Sequence, residues 1–124
     1  MLYFDAFTRF GPKANAHAAQ PWSPDHLLAE MEHCSISGAL VASTACVQYD
    51  AMLENRRLME QLRPHPHLFP IWNVLPHWTG EIPEPDALLK LLEQENVRAV
   101  TLYPISNGWS LLSKHSRPLL EALQ

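Results

Sequence analysis

The sequence predicts an α/β fold made of four parallel strand–helix units in a single domain, residues 1–124. Apolar, strand-like runs begin near Leu2, Gly38, Leu68 and Val97, so they recur about every 30 to 36 residues. A helical pattern separates each run from the next, which is typical of right-handed βαβ crossovers and a parallel sheet. A closed (β/α)8 barrel needs eight such units. Four parallel βα units therefore predict half of a (β/α)8 TIM barrel.

The first unit is predicted to contain a strand over residues 2–7 and a helix that begins after Ser23. Ser23 is a good N-cap, because its hydroxyl accepts hydrogen bonds from the free N–H groups of the first turn. Pro24 suits the first helical position, and Asp25 faces the positive end of the helix dipole. The face that we expect to be buried carries Leu27, Leu28, Met31 and Cys34.

The second unit is predicted as a strand over 38–42, apolar enough for burial on both faces, and a helix within 50–62. Asp50 and Asn55 are both candidate caps for that helix, and the sequence does not choose between them. The third strand is predicted over 68–74. It contains Pro70, which has no N–H to donate, so we expect a bulge or an irregularity there.

The third helix is predicted to follow Pro85 and to run from about residue 86 to residue 94. Asn96 suits a left-handed conformation that would end this helix. The fourth strand is predicted over 97–103, and a last helix begins near Ser116.

Composition and charge restrict the class of function. The chain has 9 basic and 13 acidic residues, a net charge of −4 and no basic stripe, so nucleic-acid binding is not expected. No apolar run reaches the length of a membrane span, so no membrane association is expected. Two cysteines do not make a disulfide framework, and a reducing, cytoplasmic location is the expectation.

Candidate site residues follow from one property of parallel sheets, which bind ligands at the carboxyl ends of their strands. Asp5 and His77 are the candidate catalytic residues on that edge. Arg9, Tyr103 and His17 are the candidate substrate-binding residues, because a guanidinium binds anions and a phenol donates to a substrate oxygen.

Each candidate also has a structural alternative. Asp5 is equally suited to anchor its loop or to pair with Arg9. His77 follows Trp72 and precedes Trp78, so it either belongs to an aromatic pocket or lies beside tryptophans that pack at the surface. Tyr103 is equally suited to packing at a strand end. His17 lies in the loop over 8–22, which is either a lid or a loop without function.

Other titratable groups have weaker cases. His65 and His67 have a metal-ligand spacing, but they lie in a loop at the amino ends of the strands, away from the ligand-binding edge, and no third ligand is near in sequence. Cys46 would need a neighbouring base to act as a nucleophile, and burial as a small apolar residue is the alternative for Cys46 and for Cys34.

Several segments resemble the amidohydrolase-related, metal-dependent hydrolases of TIM-barrel fold. The segment LYFDAFTRFG resembles the first strand of that family. The other similar segments are LLAEM followed by GALV, NRRL followed by HPHLFP, and VRAVTL. The similarity extends over the whole chain but matches only the N-terminal half of a family member.

The resemblance implies hydrolysis or decarboxylation of a small carboxylate or cyclic ester, with a divalent metal such as zinc in complete members. The family pattern at strand one is Asp-x-His-x-His, and Asp5 stands at its aspartate position. Phe7 and Arg9 stand at its two histidine positions, and neither side chain has a lone pair for a metal. We therefore expect no metal ligand and no cofactor in this chain.

Half a barrel leaves one sheet face without helices and two strand edges without partners. We therefore expect a homo-oligomer, or association with a missing barrel half, and a small-molecule substrate only when the barrel is complete. The alternatives are a catalytically inactive remnant that binds a small anion through Arg9, and a structural fragment.

Overall fold

A computed structural model describes residues 2–12 and 21–124 of the chain. Its strands are parallel and neighbour one another in chain order, so the α/β class with four parallel strands is confirmed. The strands form a curled sheet with the shape of half a barrel. They are β1 (Tyr3–Phe10), β2 (Ile36–Ser43), β3 (Leu68–Asn73) and β4 (Ala99–Thr101). The helices are α1 (Pro24–His33), α2 (Ala51–Leu62), α3 (Pro85–Gln94) and α4 (Arg117–Ala122).

The helix ends follow the predicted caps. The Ser23 hydroxyl accepts a hydrogen bond from the His26 N–H at 3.2 Å, which confirms the start of α1. Asp50 is the N-cap of α2, because its Oδ1 accepts from the Leu53 N–H at 2.8 Å. Asn96, with a φ of 55°, follows α3 in the left-handed conformation that the sequence predicts. Among the described helices, none is both long and apolar enough to cross a bilayer.

Removing the α2 cap gives a first prediction. We expect Asp50→Ala to lower the free energy of unfolding by about 1 kcal/mol, because the Leu53 N–H loses its acceptor. The loss stays moderate because Glu81 Oε2 independently accepts from the Ala51 N–H at 2.7 Å. Urea denaturation measures the change, and Glu60→Ala on the exposed side of the same helix is the control. An equal loss in both variants would contradict the capping role of Asp50.

The two faces of the sheet differ in what covers them. Ala39, Val41, Leu68 and Trp72 are buried in apolar clusters with residues of the helices, so their face is the helix-covered face. Side chains paired across parallel strands point to the same face. The opposite face, here called the open face, carries Phe4, Gly38, Leu40, Phe69, Ile71 and Asn73.

The open face is itself divided along the strands. Ile71 and Asn73, near the carboxyl ends, are buried. Phe4 and Phe69, nearer the amino ends, are about half exposed, and their ring centroids lie 6.0 Å apart. Gly38 lies between them, where a Cβ atom would come within 3.1 Å of the Phe4 ring. The exposed apolar part of the open face is therefore the half farther from the carboxyl edge.

The expected irregularity at Pro70 is wrong, because β3 pairs with β2 through Pro70 without a shift in register. Alternate residues of a parallel strand direct their N–H groups to opposite neighbours. The Ala39 N–H donates to His67 O, and the Val74 N–H donates to Thr101 O, so the position of Pro70 faces β4. Pairing with β4 begins only at Ile71, so the missing N–H of Pro70 has no bond to lose.

Two strand lengths differ from the prediction. β1 continues to Phe10 instead of ending at residue 7. Its register against β2 shifts between Asp5 and Thr8, and the pairing then extends to Phe10–Ser43. The Asp5 carboxylate accepts from the Phe7 N–H at 3.0 Å within this irregular stretch. β4 contains three residues instead of the predicted 97–103. Within the described residues it pairs on one side only, with β3.

The expected burial of Cys34 is also wrong, because this side chain is exposed. Cys34 is the C-cap of α1, and its N–H donates to Glu30 O. The chain then turns at Ser35, which has a φ of 59°. Cys34 thus lies beyond the last turn that packs against the sheet.

Candidate functional site

The carboxyl edge of the sheet contains a cavity of about 460 Å³. Its walls come from the end of β1, the turn after β2 and the segment after β4, so the two outer strands both contribute. The lining residues are Phe7, Thr8, Arg9, Thr44, Val47, Gln48, Tyr103 and Ser106.

Arg9 is the cation of this cavity. Its guanidinium lies 5.6 Å from the centroid of the Phe7 ring, a cation–π distance that holds the side chain beside the cavity. Arg9 forms no ion pair with any residue in the described ranges. A guanidinium with five N–H donors and no acidic partner in these ranges is suited to an anion.

Tyr103 supplies the second polar group. It follows β4, and its phenolic oxygen is buried with no hydrogen-bond partner in the part of the chain that the structure describes. A buried hydroxyl without a partner costs roughly 1–3 kcal/mol, so a ligand oxygen that pairs with it is favoured. The structure thus brings together Arg9 and Tyr103, two of the three predicted substrate-binding residues.

Thr44 fixes the end of β1 beside the turn after β2. Its N–H donates to Phe10 O at 3.0 Å, and its Oγ1 lies 3.2 Å from Phe10 O and 2.9 Å from Pro12 O. Thr44 is buried and lines the cavity. These contacts hold the neighbouring Arg9 at the edge of the sheet.

A buried amide network supports the same wall, the turn after β2. Asn55 of α2 donates through Nδ2 to Asn73 O at 2.9 Å and accepts from the Asn73 N–H at 3.0 Å. Asn73 Nδ2 in turn donates to Cys46 O at 2.8 Å. Asn107 Nδ2 lies 3.4 Å from Val47 O, so two amides hold consecutive carbonyls of one 3-10 turn, Ala45–Val47.

Sequence reasoning missed this network. It considered Asn55 only as a possible helix cap. The available signal is an asparagine at the end of the apolar run 68–74 and another, Asn55, at helical spacing from Ala51 and Leu58 on the apolar face of α2, since buried amides need partners.

The two predicted catalytic residues lie outside the cavity lining. Asp5 pairs in register with Ala39, which belongs to the helix-covered face, so the sheet separates it from Arg9. His77 begins the 3-10 turn His77–Thr79 and is exposed. Trp72 is buried in the core, whereas Trp78 is about half exposed. His17 falls in 13–20, outside the described residues.

His65 and His67, at the amino ends of the strands, lie away from the cavity. His65 Nε2 lies 3.9 Å from Asp25 Oδ1, and His67 is exposed. Within residues 2–12 and 21–124, no group of three or more His, Cys, Asp or Glu side chains is arranged to hold a metal ion.

Cys46 is buried, as one of the two alternatives predicts, and its thiol donates to Ser43 O at 2.8 Å. Burial raises the pKa of Cys46 to about 11, since desolvation penalises the thiolate. Little thiolate exists at neutral pH, so Cys46 is poorly suited to nucleophilic attack.

The two cysteines give a second prediction. At about pH 8 we expect iodoacetamide to label Cys34 rapidly and to leave Cys46 unmodified in the folded chain, because only exposed thiols with accessible thiolate react. Intact mass should show one adduct for the folded chain and two in guanidinium chloride. Cys34→Ser is the control, and a folded Cys34→Ser chain that is labelled rapidly would contradict the assigned burial.

The cavity lining has a limited chemistry. It offers one guanidinium, a phenol, hydroxyl groups and one amide, and in the described residues it includes no carboxylate and no imidazole. Such a set is chemically suited to hold and orient an anion, but it offers no general base near neutral pH.

Comparisons with known proteins found no match to this chain among protein-family models, curated proteins or solved structures.

Proposed function

We propose that this chain binds the carboxylate group of a small organic acid at the carboxyl edge of half a (β/α)8 barrel. The observation that carries the proposal is that Arg9, a cation without an ion-pair partner in the described residues, lines the same cavity as Tyr103. The planar guanidinium matches a carboxylate through two parallel hydrogen bonds, and the phenol adds a third donor.

The rest of the lining suits a small cyclic or aromatic acid. Phe7 and Val47 offer apolar surface, while Thr8, Thr44, Gln48 and Ser106 offer hydrogen bonds to further oxygens. A volume of about 460 Å³ is in the range of small-molecule sites.

The resemblance to amidohydrolase-related enzymes extends this proposal to hydrolysis or decarboxylation of a carboxylate or cyclic ester. The side chains at the family's metal positions, Phe7 and Arg9, do not fit a metal ion, because phenylalanine has no lone pair and arginine stays cationic. We therefore assign no catalytic step to a metal here. In this proposal the chain supplies substrate binding, and the acid or base needed for turnover comes from residues outside the described lining of the cavity.

A second candidate is an inactive remnant that binds small anions. The absence of carboxylate and imidazole groups from the described lining of the cavity favours it, since binding needs no acid or base. Turnover of a bound acid in the assembled protein separates the two candidates.

The test is a titration of the full chain with benzoate, followed by NMR chemical shifts. We expect benzoate to bind and benzamide, its neutral isostere, to bind at least about tenfold more weakly, because one charge-assisted hydrogen bond contributes roughly 1.5–3 kcal/mol. Arg9→Gln should weaken benzoate by a similar factor and leave benzamide unchanged. Tyr103→Phe should weaken benzoate about two- to tenfold.

Arg117→Gln is the matched control, because Arg117 is exposed on α4 and does not line the cavity. Equal affinity for benzoate and benzamide would overturn anion recognition. Binding of neither probe would support a structural fragment instead.

A further inference from the structure

We propose that two copies of this chain close one barrel, with β4 of each copy pairing in parallel with β1 of the other. This inference rests on the half-barrel architecture of the proposed function. It commits the open face to a second copy as its occupant.

The order and polarity of the strands fit such a dimer. The order β1-β2-β3-β4 leaves one edge of β1 and one edge of β4 without a partner in the described residues. A two-fold axis along the barrel would place each β4 beside the other copy's β1 with parallel polarity, as between neighbouring strands within one chain. Two such junctions would complete eight strands and leave no open edge.

The open face has the exposed apolar surface that a second copy would cover. Phe4 and Phe69 are 54% and 44% exposed, although neither belongs to the helix-covered core. Together they leave roughly 200 Å² of aromatic surface in water, at about 200 Å² for each side chain. That is about a quarter of the ~800 Å² that each partner buries in a stable complex.

Charge complementarity favours a copy of this chain over another partner. Asp5 lies in the amino-terminal half of β1, and Arg98 immediately precedes β4, so both lie towards the amino end of the sheet. Neither forms an ion pair in the described residues. Parallel pairing of β4 with the other copy's β1 would bring these opposite charges to each junction.

The short β4 is consistent with a missing neighbour. The sequence has strand character over 97–103, yet only Ala99–Thr101 forms a ladder, and β3 is its sole partner in the described residues. Leu102 and Tyr103 continue the run half buried. A second neighbour on the free side would give these residues ladder partners.

The test uses sedimentation velocity over micromolar concentrations. We expect a reversible dimer of the unmodified chain. The dissociation constant of the dimer should rise at least about tenfold in Asp5→Lys and in Arg98→Glu, because each variant places like charges at both junctions. Mixing the two variants should restore dimers, since the heterodimer has opposite charges at both junctions. Only a head-to-tail contact between these residues gives that restoration.

Controls separate charge placement from folding. Glu60→Lys, at an exposed position of α2, makes a comparable charge change on a helix that packs against the inner strands β3 and β2, and it should leave the dimer intact. Phe69→Ser should weaken the dimer, whereas Leu112→Ser, at a residue 97% exposed in a loop, should not. Circular dichroism checks that each variant is folded.

A compact monomer at all concentrations would overturn the inference, as would a mixture of the two charge variants that stays monomeric. Benzoate binding is measured separately on the same samples, because Arg9 and Tyr103 belong to one copy. A monomeric chain that binds benzoate would therefore overturn the dimer alone. A dimeric chain that does not bind benzoate would overturn only the proposed carboxylate site.

Discussion

Asn55→Ala should lower the free energy of unfolding by roughly 2–4 kcal/mol. The side chain of Asn55 accepts from the N–H and donates to the carbonyl of Asn73, and both residues are buried. Its removal leaves two backbone groups without partners, each at a cost of about 1–3 kcal/mol. The better helix propensity of alanine offsets only a few tenths of a kcal/mol of that loss.

Urea denaturation, followed by circular dichroism, measures the effect. Asn107→Ala is the matched control, because its amide makes a single longer contact, 3.4 Å to Val47 O, at a partly buried site. We expect that variant to lose less than about 1 kcal/mol. Equal losses in the two variants would contradict the larger contribution assigned to the paired bonds of Asn55.

The same substitution also tests how the cavity is supported. Asn55 holds Asn73, and Asn73 holds the carbonyl of Cys46 in the turn that carries Val47 to the cavity wall. A folded Asn55→Ala chain should therefore bind benzoate more weakly, although Asn55 does not line the cavity. Unchanged affinity in the folded variant would mean that the turn keeps its position without the network.

Local signals in the sequence predict much of the fold. Ser23, Asp50 and Asn96 act through hydrogen bonds or backbone preferences within a few residues, and the structure places all three in a predicted role. The apolar runs predict four parallel strands, because each run is separated from the next by a helix of ordinary length.

The details that depend on distant neighbours were not predictable in the same way. The extension of β1 to Phe10 depends on a register shift against β2, and the regular pairing at Pro70 depends on where β4 begins. The separation of Asp5 from Arg9 follows from the same shift, because Asp5 pairs with Ala39 and Arg9 pairs with Ala42, on opposite faces of the sheet. Arg9 and Tyr103 could be placed at the functional edge from topology alone, whereas the amide network requires coordinates.

Trp72→Ala should have the largest effect on stability, roughly 3–5 kcal/mol. Trp72 is 1% exposed and packs on the helix-covered face with Ala51, Val74 and Leu88. Its removal leaves a cavity between β3 and the helices that this well-packed region cannot fill without moving the strand. Since a domain is stable by about 5–15 kcal/mol, the variant should be close to unfolding at ambient temperature.

Trp72→Phe separates the effect of lost side-chain volume from the effect of the buried indole N–H. The Trp72 Nε1–H is buried with no acceptor in the described part of the chain, so phenylalanine removes an unsatisfied donor together with part of the ring. We expect a loss of about 1 kcal/mol or less, because the polar gain offsets the smaller volume. Trp78→Ala, about half exposed, controls for the loss of a tryptophan at the surface. A Trp72→Phe chain as unstable as Trp72→Ala would mean that the indole N–H has a partner, such as a buried water. Packing alone would then not account for the stability of this face.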